Sequence, residues 1–348
     1  MAKKKLRVGI IGTGGIAGMH AAGLQKVEAV EVIAGADVNE KALSAFSAKY
    51  GLQHTFTDYR EMLKLEALDA VSVCTPNFMH KEPTVAALKA GKHVMVEKPM
   101  AMTAREAQAM VDAAAESNLV LTIGFQFRFS PAAQVIKRYY DEGQLGSILY
   151  SRVQALRRRG IPNWGVFGRK ELQGGGPLID IGVHMIELAH YLMGSPRPAA
   201  AASGMWTYLG NKPSDVMCMW PNWDHRTYTV EDLATGFVRF ENGASMCVES
   251  SFAAHIEDNV LNVTLMGDKG GASYSLLKVF RDEAGVMVNI QPSFTGDWST
   301  FDYKMAHWVA VIRGEEKNKA PGEDGLMVQK ILDGLYHSAE KGKEVRIS

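Results

Sequence analysis

The chain has 348 residues, enough for about two domains of ~150 residues each. Its 38 Lys and Arg balance 38 Asp and Glu, so no field of the whole protein draws it to nucleic acid or to an anionic membrane. The three cysteines, Cys74, Cys218 and Cys247, are far apart and form no CxxC, which excludes a disulfide framework and a thiolate metal cluster, and no apolar run is long enough to span a bilayer.

Lys3, Lys4 and Lys5 precede only a short apolar run that breaks into glycines, so no secretory leader and a cytoplasmic setting are expected. Along the first third, Leu6–Ile11, Val30–Ala36, His54–Thr57, Ala70–Cys74, His93–Val96 and Leu119–Ile123 are short and rich in Val, Ile and Ala. Near-continuous apolar runs of this length predict strands buried on both faces of a parallel sheet. Between them lie helical patterns with start signals. Asn39 is placed to cap Glu40–Tyr50, and Thr103-Ala-Arg-Glu106 is a capping box for a helix to about Ser117. Repeated strand–helix–strand alternation predicts a doubly wound α/β sheet.

The character changes near Gly124. Pro131 opens a helix to Asp141, and Ile148–Leu156, Gly236–Phe240, Ala244–Phe252, Asn259–Met266 and Val286–Ile290 read as strands. Their alternation, with turns such as Glu241-Asn242-Gly243, suits antiparallel pairing. Helices are predicted over 177–191, 307–313 and 325–340. A second domain of α+β type follows the first without a flexible linker.

Gly12-Thr13-Gly14-Gly15-Ile16-Ala17 lies between the first strand and a helix and fits GxGxxA. Gly12 permits the tight turn, Gly14 lets the backbone approach a pyrophosphate, and Ala17 lets helix and strand pack closely. The free N–H groups of the helix start then face the phosphates. Asp37, 20 residues after Ala17, ends the second strand, where a carboxylate accepts from ribose hydroxyls and repels a 2′-phosphate. NAD is therefore expected rather than NADP. Ligands of open α/β sheets bind beyond the carboxyl ends of the strands, which directs attention to Thr75-Pro76-Asn77 with His80, and to Glu97-Lys98-Pro99.

In the second domain Pro177 suits the first position of a helix, and Asp180 and His184, four apart, share one helical face. A carboxylate beside an imidazole orients it and raises its basicity, a pairing fit for taking a hydroxyl proton near neutral pH. Alternatively, the two are a helix cap and a core histidine. Arg157-Arg158-Arg159 and Trp164 read either as a substrate wall, with Trp164 stacked on a sugar ring and Arg159 bonding its hydroxyls, or as a solvated loop. The histidines lack paired-ligand spacing, so no metal is expected.

Taken in order, Gly12 to Ala17, Thr75-Pro76-Asn77, Glu97-Lys98-Pro99, Gly124-Phe-Gln126-Phe-Arg128 and Gly174-Gly-Gly-Pro177-Leu-Ile-Asp180-Ile-Gly-Val-His184 resemble the glucose-fructose oxidoreductase / inositol 2-dehydrogenase / MocA (Gfo/Idh/MocA) family over nearly the whole chain. The resemblance implies a Rossmann domain over 1–124 and a substrate and oligomerisation domain over 125–348. The latter would carry an open, mostly antiparallel sheet through which homodimers or homotetramers form. It further implies a Lys98–Asp180–His184 arrangement in which His184 is the base, Lys98 stabilises the reacting oxygen and Asp180 tunes both, the alternative being Lys98 as the proton acceptor, as in some members of the family. The family's Lys–Pro bond is often cis. Gln126 and Arg128 would lie toward the nicotinamide, although relatives often carry Asn before the Arg. The expected reaction is oxidation of a secondary ring hydroxyl of a sugar, glycoside or cyclitol. The alternative is a redox-neutral glycoside-cleaving enzyme that retains its NAD.

Overall fold

The computed structural model describes residues 5–347, so Lys3 and Lys4 lie outside it. The chain forms two compact units, one from the start through Phe129 together with Trp298–Leu326, the other from Ser130–Asp297 together with Met327 onward.

The first unit alternates β1 (Leu6–Ile11), α1 (Gly15–Leu24), β2 (Val30–Ala36), α2 (Glu40–Tyr50), β3 (His54–Phe56), α3 (Tyr59–Leu63), β4 (Ala70–Val73), α4 (Lys81–Lys89), β5 (His93–Val96), α5 (Ala104–Ser117) and β6 (Leu121–Ile123). The strands pair in parallel in the order β3-β2-β1-β4-β5-β6. This doubly wound order reverses direction between β1 and β4, the switch point beyond which dinucleotides bind. β4 and β6 are buried at every position, including Ser72 and Thr122, as strands covered on both faces are. The caps act as their residue types predict. Asn39 accepts from the Lys41 and Ala42 amides, and Thr103 accepts from the Glu106 amide while Glu106 reaches back to the Met102 amide.

In the second unit α6 (Pro131–Asp141) is capped by Ser130 and leads into β7 (Ile148–Leu156). A short α7 (Lys170–Gln173) precedes a wide π-helical turn over Leu178–Gly182, which runs straight into α8 (Val183–Leu192). Then come β8 (Pro198–Trp206), β9 (Leu233–Phe240), β10 (Ser245–Ser251), β11 (Val260–Gly267), β12 (Gly270–Ser273), β13 (Lys278–Glu283) and β14 (Val286–Ile290). The strand β15 (Val345–Arg346), near the end of the chain, completes a nine-stranded sheet in the order β14-β13-β12-β11-β7-β10-β9-β8-β15. Only β7 and β10 pair in parallel. β8, β12 and β13 escape the sequence pattern. β8 reads PAAAASGMW, whose alanines signal helix while its strand state comes from pairing with β9.

The return segment departs from a simple division at 124. α9 (Thr300–Ile312), capped by Ser299, starts seven residues before the helix predicted at 307. Its Met305, Trp308 and Val309 join Val8, Ile10, Ala17, Ala21 and Leu24 in the core of the first unit. Ile123 of β6 donates its amide to the Ala320 carbonyl, and Asn318 donates to Leu121 and Thr122. A run of apolar side chains at helical spacing cannot stay exposed, so the chain comes back to cover α1. α10 (Gly322–Lys341) then begins in the first unit and continues through the residues of the second.

Because Trp308 is fully buried in that core, Trp308→Ala is expected to lower the unfolding free energy by about 3–5 kcal/mol. Urea unfolding followed by circular dichroism measures this, and a change under about 1 kcal/mol would show that α9 is not part of the core.

Candidate active site

Gly12 follows β1 with φ +85°, and a Cβ there would meet the Cys74 carbonyl and the Thr75 amide at 2.9 Å, so the end of β1 presses on the end of β4 and only glycine fits. Gly14 and Gly15 differ. Both are exposed, and a Cβ at either would touch nothing else in the chain. They leave open space in front of the helix start. No side chain caps α1 and no acidic residue lies in its first turn. Its N-terminal amides therefore present partial positive charge to an anion, which fits a pyrophosphate. Ile16 is half-buried behind them, and Ala17 is fully buried against the sheet.

Asp37 follows β2, and its Oδ2 accepts from Thr13 N at 2.7 Å and Thr13 Oγ1 at 2.9 Å while Oδ1 accepts from Asn39 N at 2.8 Å. The carboxylate thus ties the glycine turn to the second strand and stays partly exposed, where its remaining lone pairs suit ribose hydroxyls. Beyond β4, Thr75 Oγ1 donates to the Met79 carbonyl and fixes the Thr75-Pro76-Asn77 turn, with Asn77 buried. His80 is buried with Nδ1 2.7 Å from the Pro99 carbonyl and Nε2 2.8 Å from the Thr75 carbonyl. It joins the loops after β4 and β5.

β5 delivers Glu97-Lys98-Pro99, whose Lys98–Pro99 bond is cis, as the family resemblance implies. Lys98 is half-buried. Glu97, expected among the cofactor contacts, is instead occupied within the protein. Its Oε1 accepts from His20 Nε2 and from Lys304 Nζ, each at 2.8 Å, and Oε2 accepts from Lys98 N at 3.2 Å. Burial alone would raise its pKa, but the Lys304 charge and the His20 bond hold the carboxyl well below the ordinary range. A Cβ at Gly124 would collide with Glu97 Oε1, which explains the glycine that opens the Gly124–Arg128 motif. Gln126 is half-buried at the start of a 3₁₀ turn. Arg128 is fully buried, donating to the Lys319 carbonyl at 2.7 Å and to Asp324 at 2.5 Å and lying 4.9 Å over the Phe125 ring. It pins the return segment within the first unit.

In the second unit, Asp180 is buried on the π-helical turn and His184 is half-buried on the first turn of α8. The wide turn is a feature that no periodicity in the sequence signals, and such turns gather at functional sites. Glu231, buried, receives Gly176 N at 2.9 Å, Leu178 N at 3.2 Å and Tyr336 Oη at 2.8 Å. It caps the start of the turn. A Cβ at Gly175 would strike Tyr336 Oη, and one at Gly176 would strike the Glu231 carbonyl, which accounts for those two glycines. Asp232 beside it accepts from Tyr208 N, Leu209 N and Gly210 N. Glu231 and Tyr336 were not found from sequence, being 105 residues apart with no shared motif.

Arg159 and Trp164 each line a different cavity among the described residues. Arg159 lines one of about 620 Å³ with Arg158, His255 and Asp258, and Trp164 one of about 270 Å³ with Arg169, Trp223 and Tyr228. Arg157 follows β7 with its guanidinium 5.0 Å over Trp220 and 5.5 Å over Phe252, and Trp220 meets Trp164 edge-on at 4.7 Å. Burial lowers its pKa while the Asp180 carboxylate acts to raise it.

A doubly wound sheet with a glycine turn at its switch point and an acidic residue after β2 defines the class of dinucleotide-binding Rossmann domains. The chain belongs to the Gfo/Idh/MocA oxidoreductase family. Residues 6–125 match its NAD-binding Rossmann fold and residues 137–347 its C-terminal alpha/beta domain. A D-glucoside 3-dehydrogenase of Escherichia coli K12 is 37% identical over 350 residues, spanning 100% of this chain and 99% of the relative. A levoglucosan dehydrogenase of Pseudarthrobacter phenanthrenivorans is 30% identical over 259 residues, 72% of this chain and 66% of the relative. The solved structure of a levoglucosan dehydrogenase in complex with NADH superposes with a TM-score of 0.84 at 25% identity, covering 99% of this chain and 100% of that one.

Burial, above all other causes, lowers the pKa of His20, His80, His93 and His307. The unfolded chain therefore binds more protons than the folded one, so stability rises with pH through the window in which unfolded histidines titrate. The melting temperature is expected to fall as pH drops from 7 to 5, through the unfolded histidine pKa of about 6.5. Calorimetry at fixed ionic strength checks this, and a midpoint that is flat or rises toward pH 5 contradicts it.

Proposed function

We propose that the protein is an NAD-dependent dehydrogenase that oxidises the C3 hydroxyl of a glucopyranoside to a ketone. The observation that carries the reading is the full-length 37% identity to a D-glucoside 3-dehydrogenase, read together with Lys98, Asp180 and His184 at the expected motif positions. When bound, NAD supplies the hydride acceptor. Gly12 to Ile16 and the amides of α1 would hold its pyrophosphate, and Asp37 its adenosine ribose. Thr75, Pro76, Asn77, His80, Gln126 and Arg128 would shape the path toward the nicotinamide, His80 and Arg128 by holding the loops.

The protein's own task is the hydroxyl proton. His184 takes it at an imidazole nitrogen, Asp180 keeps the ring oriented and offsets the positive charge it gains, and the Lys98 ammonium donates to the oxygen as negative charge develops there. A pyranoside offers apolar C–H faces and a rim of hydroxyls. The Trp164–Trp220 pair supplies the aromatic side of such a pocket, and Arg157, whose guanidinium lies over Trp220, the hydrogen-bonding side.

We also propose that copies assemble through the open face of the nine-stranded sheet. The π-helical turn and α8 pack on the other face, with α6 on α8, and the open face carries Phe237, Met266 and the Arg152–Glu249 ion pair. Multi-angle light scattering is expected to show a dimer or tetramer that Phe237→Asp dissociates, and a monomeric wild type would contradict this.

Purified protein with NAD and a panel of glucosides, glucose, levoglucosan and inositols is expected to generate NADH with glucosides fastest. Lys98→Ala and His184→Ala are each expected to lower turnover by roughly 100-fold or more. Fastest turnover with an inositol, or aglycone released without NADH, would overturn the substrate assignment, and unchanged turnover in either variant would remove that residue from the mechanism.

A further inference from the structure

Next to Lys98, three ionisable side chains that the proton chemistry does not use are buried together in one cluster of the first unit. Glu97 is 4% exposed, and His20 and Lys304 are not exposed at all. They arrive from separate places: His20 from α1, Glu97 from the end of β5 and Lys304 from α9 on the returning segment. Lys304 Nζ also lies 3.0 Å from His20 Nε2, and Ser72 Oγ lies 2.7 Å from His20 Nδ1. Cys74 Sγ, 3.5 Å from Nδ1, and the Phe301 ring, 4.7 Å from Nζ, close the cluster. With Glu97 Oε1 shared by Lys304 and His20, the consistent tautomer has Nε2–H toward Glu97 and Nδ1 accepting from Ser72.

Removing a carboxylate and an ammonium from water costs several kcal/mol per ion, and a buried pair rarely repays this against apolar residues of the same volume. Stability alone is a poor reason to carry Lys304 some 200 residues onward to Glu97. What the pair does hold is the free oxygen of Glu97, whose bond comes from the Lys98 amide. A bond to an ionised acceptor is about twice as strong as a neutral one, and a protonated Glu97 would turn an acceptor into a donor at that position.

We propose that Lys304 and His20 are positioning residues for Lys98: together they keep Glu97 ionised, and the Glu97 carboxylate grips the Lys98 peptide. The inference rests on the role given to Lys98 above. It adds that the ammonium carried by α9 is needed for turnover and not for holding NAD. The charged and titratable groups around Glu97 are Lys304 from α9, His20 from α1, Cys74 after β4, His80 just before α4 and Lys98 beside it. His20 is the histidine bonded directly to Glu97, whereas both ring nitrogens of His80 face backbone carbonyls, so in Lys304→Met it is His20 that replaces the lost charge by taking a proton once the neighbouring ammonium is gone.

Lys304→Met is therefore expected to reduce kcat with methyl β-D-glucopyranoside about tenfold or more at pH 8, with the Kd for NAD within about twofold of wild type. As pH falls to 6, the ratio of variant to wild-type kcat should rise and the deficit in melting temperature should shrink. His20→Gln added to Lys304→Met should abolish both recoveries. If Lys304→Met does not fold, Glu97→Gln/Lys304→Met buries no unpaired charge and is expected to show the same kcat loss with NAD binding kept. Wild-type kcat in either variant, a ratio that does not change with pH, or equal losses of kcat and NAD binding would overturn the proposal. Lys98→Ala in the same assay separates the two ideas. Full turnover there discards the role of Lys98, whereas an inactive Lys98→Ala beside a fully active Lys304→Met discards only the role of Lys304.

Discussion

A carboxylate buried at the end of β5 is the constraint from which much of the first unit follows. Glu97 needs a positive partner, and the neighbouring strands offer none, since β4 and β6 are apolar throughout apart from Ser72 and Thr122. The partner comes from α9, so the chain must leave the first unit, build the second, and return. The return helix then pays its way in packing, with Trp308 and Met305 filling the space over α1. Gly124 follows from the same carboxylate, because no side chain can share its position with Glu97 Oε1. One buried charge thus links the Glu-Lys-Pro motif, the glycine after β6 and a discontinuous unit.

Glycines in this chain answer two different demands. Gly12, Gly175 and Gly176 are small because the protein itself presses on them: the Cys74 carbonyl on the first, Tyr336 and Glu231 on the others. Gly14 and Gly15 have nothing in the chain pressing on them, which leaves open the ground where the proposed pyrophosphate would sit. The second unit repeats the logic of the first with different parts. Glu231 holds the start of the Asp180–His184 turn as the Glu97 cluster holds the Lys98 peptide, and in both cases a buried carboxylate receives main-chain amides next to a residue with chemistry.

The parts legible in the sequence are those governed by short-range patterns. Strands buried on both faces write themselves as apolar runs, so β1, β2 and β5 stand at their predicted bounds, and the caps at Asn39 and Thr103 follow from local hydrogen bonding. The dinucleotide turn is local too. What escaped depends on distance. β8 is strand only because β9 pairs with it, and the alanines in it say otherwise. α9 began earlier than its apolar stripe suggested because Ser299 is its cap. Lys304 carries no signal, since lysine is ordinarily a surface residue and its partners lie 207 and 284 positions away. Arg159 drew attention among three consecutive arginines, while the structure sets Arg157 against Trp220 and Phe252. Alternation alone could not rank the three.

The proposed function stands on one transfer, that of the hydrogen from C3 of a glucoside to NAD. Methyl β-D-glucopyranoside carrying deuterium only at C3, incubated with the protein and NAD, tests it directly by NMR of the reduced cofactor. Deuterium at the nicotinamide C4 position, with a slower initial rate than the unlabelled sugar, is the predicted result. Reduced cofactor formed without the label, or label retained in a sugar that is nonetheless oxidised, would contradict it.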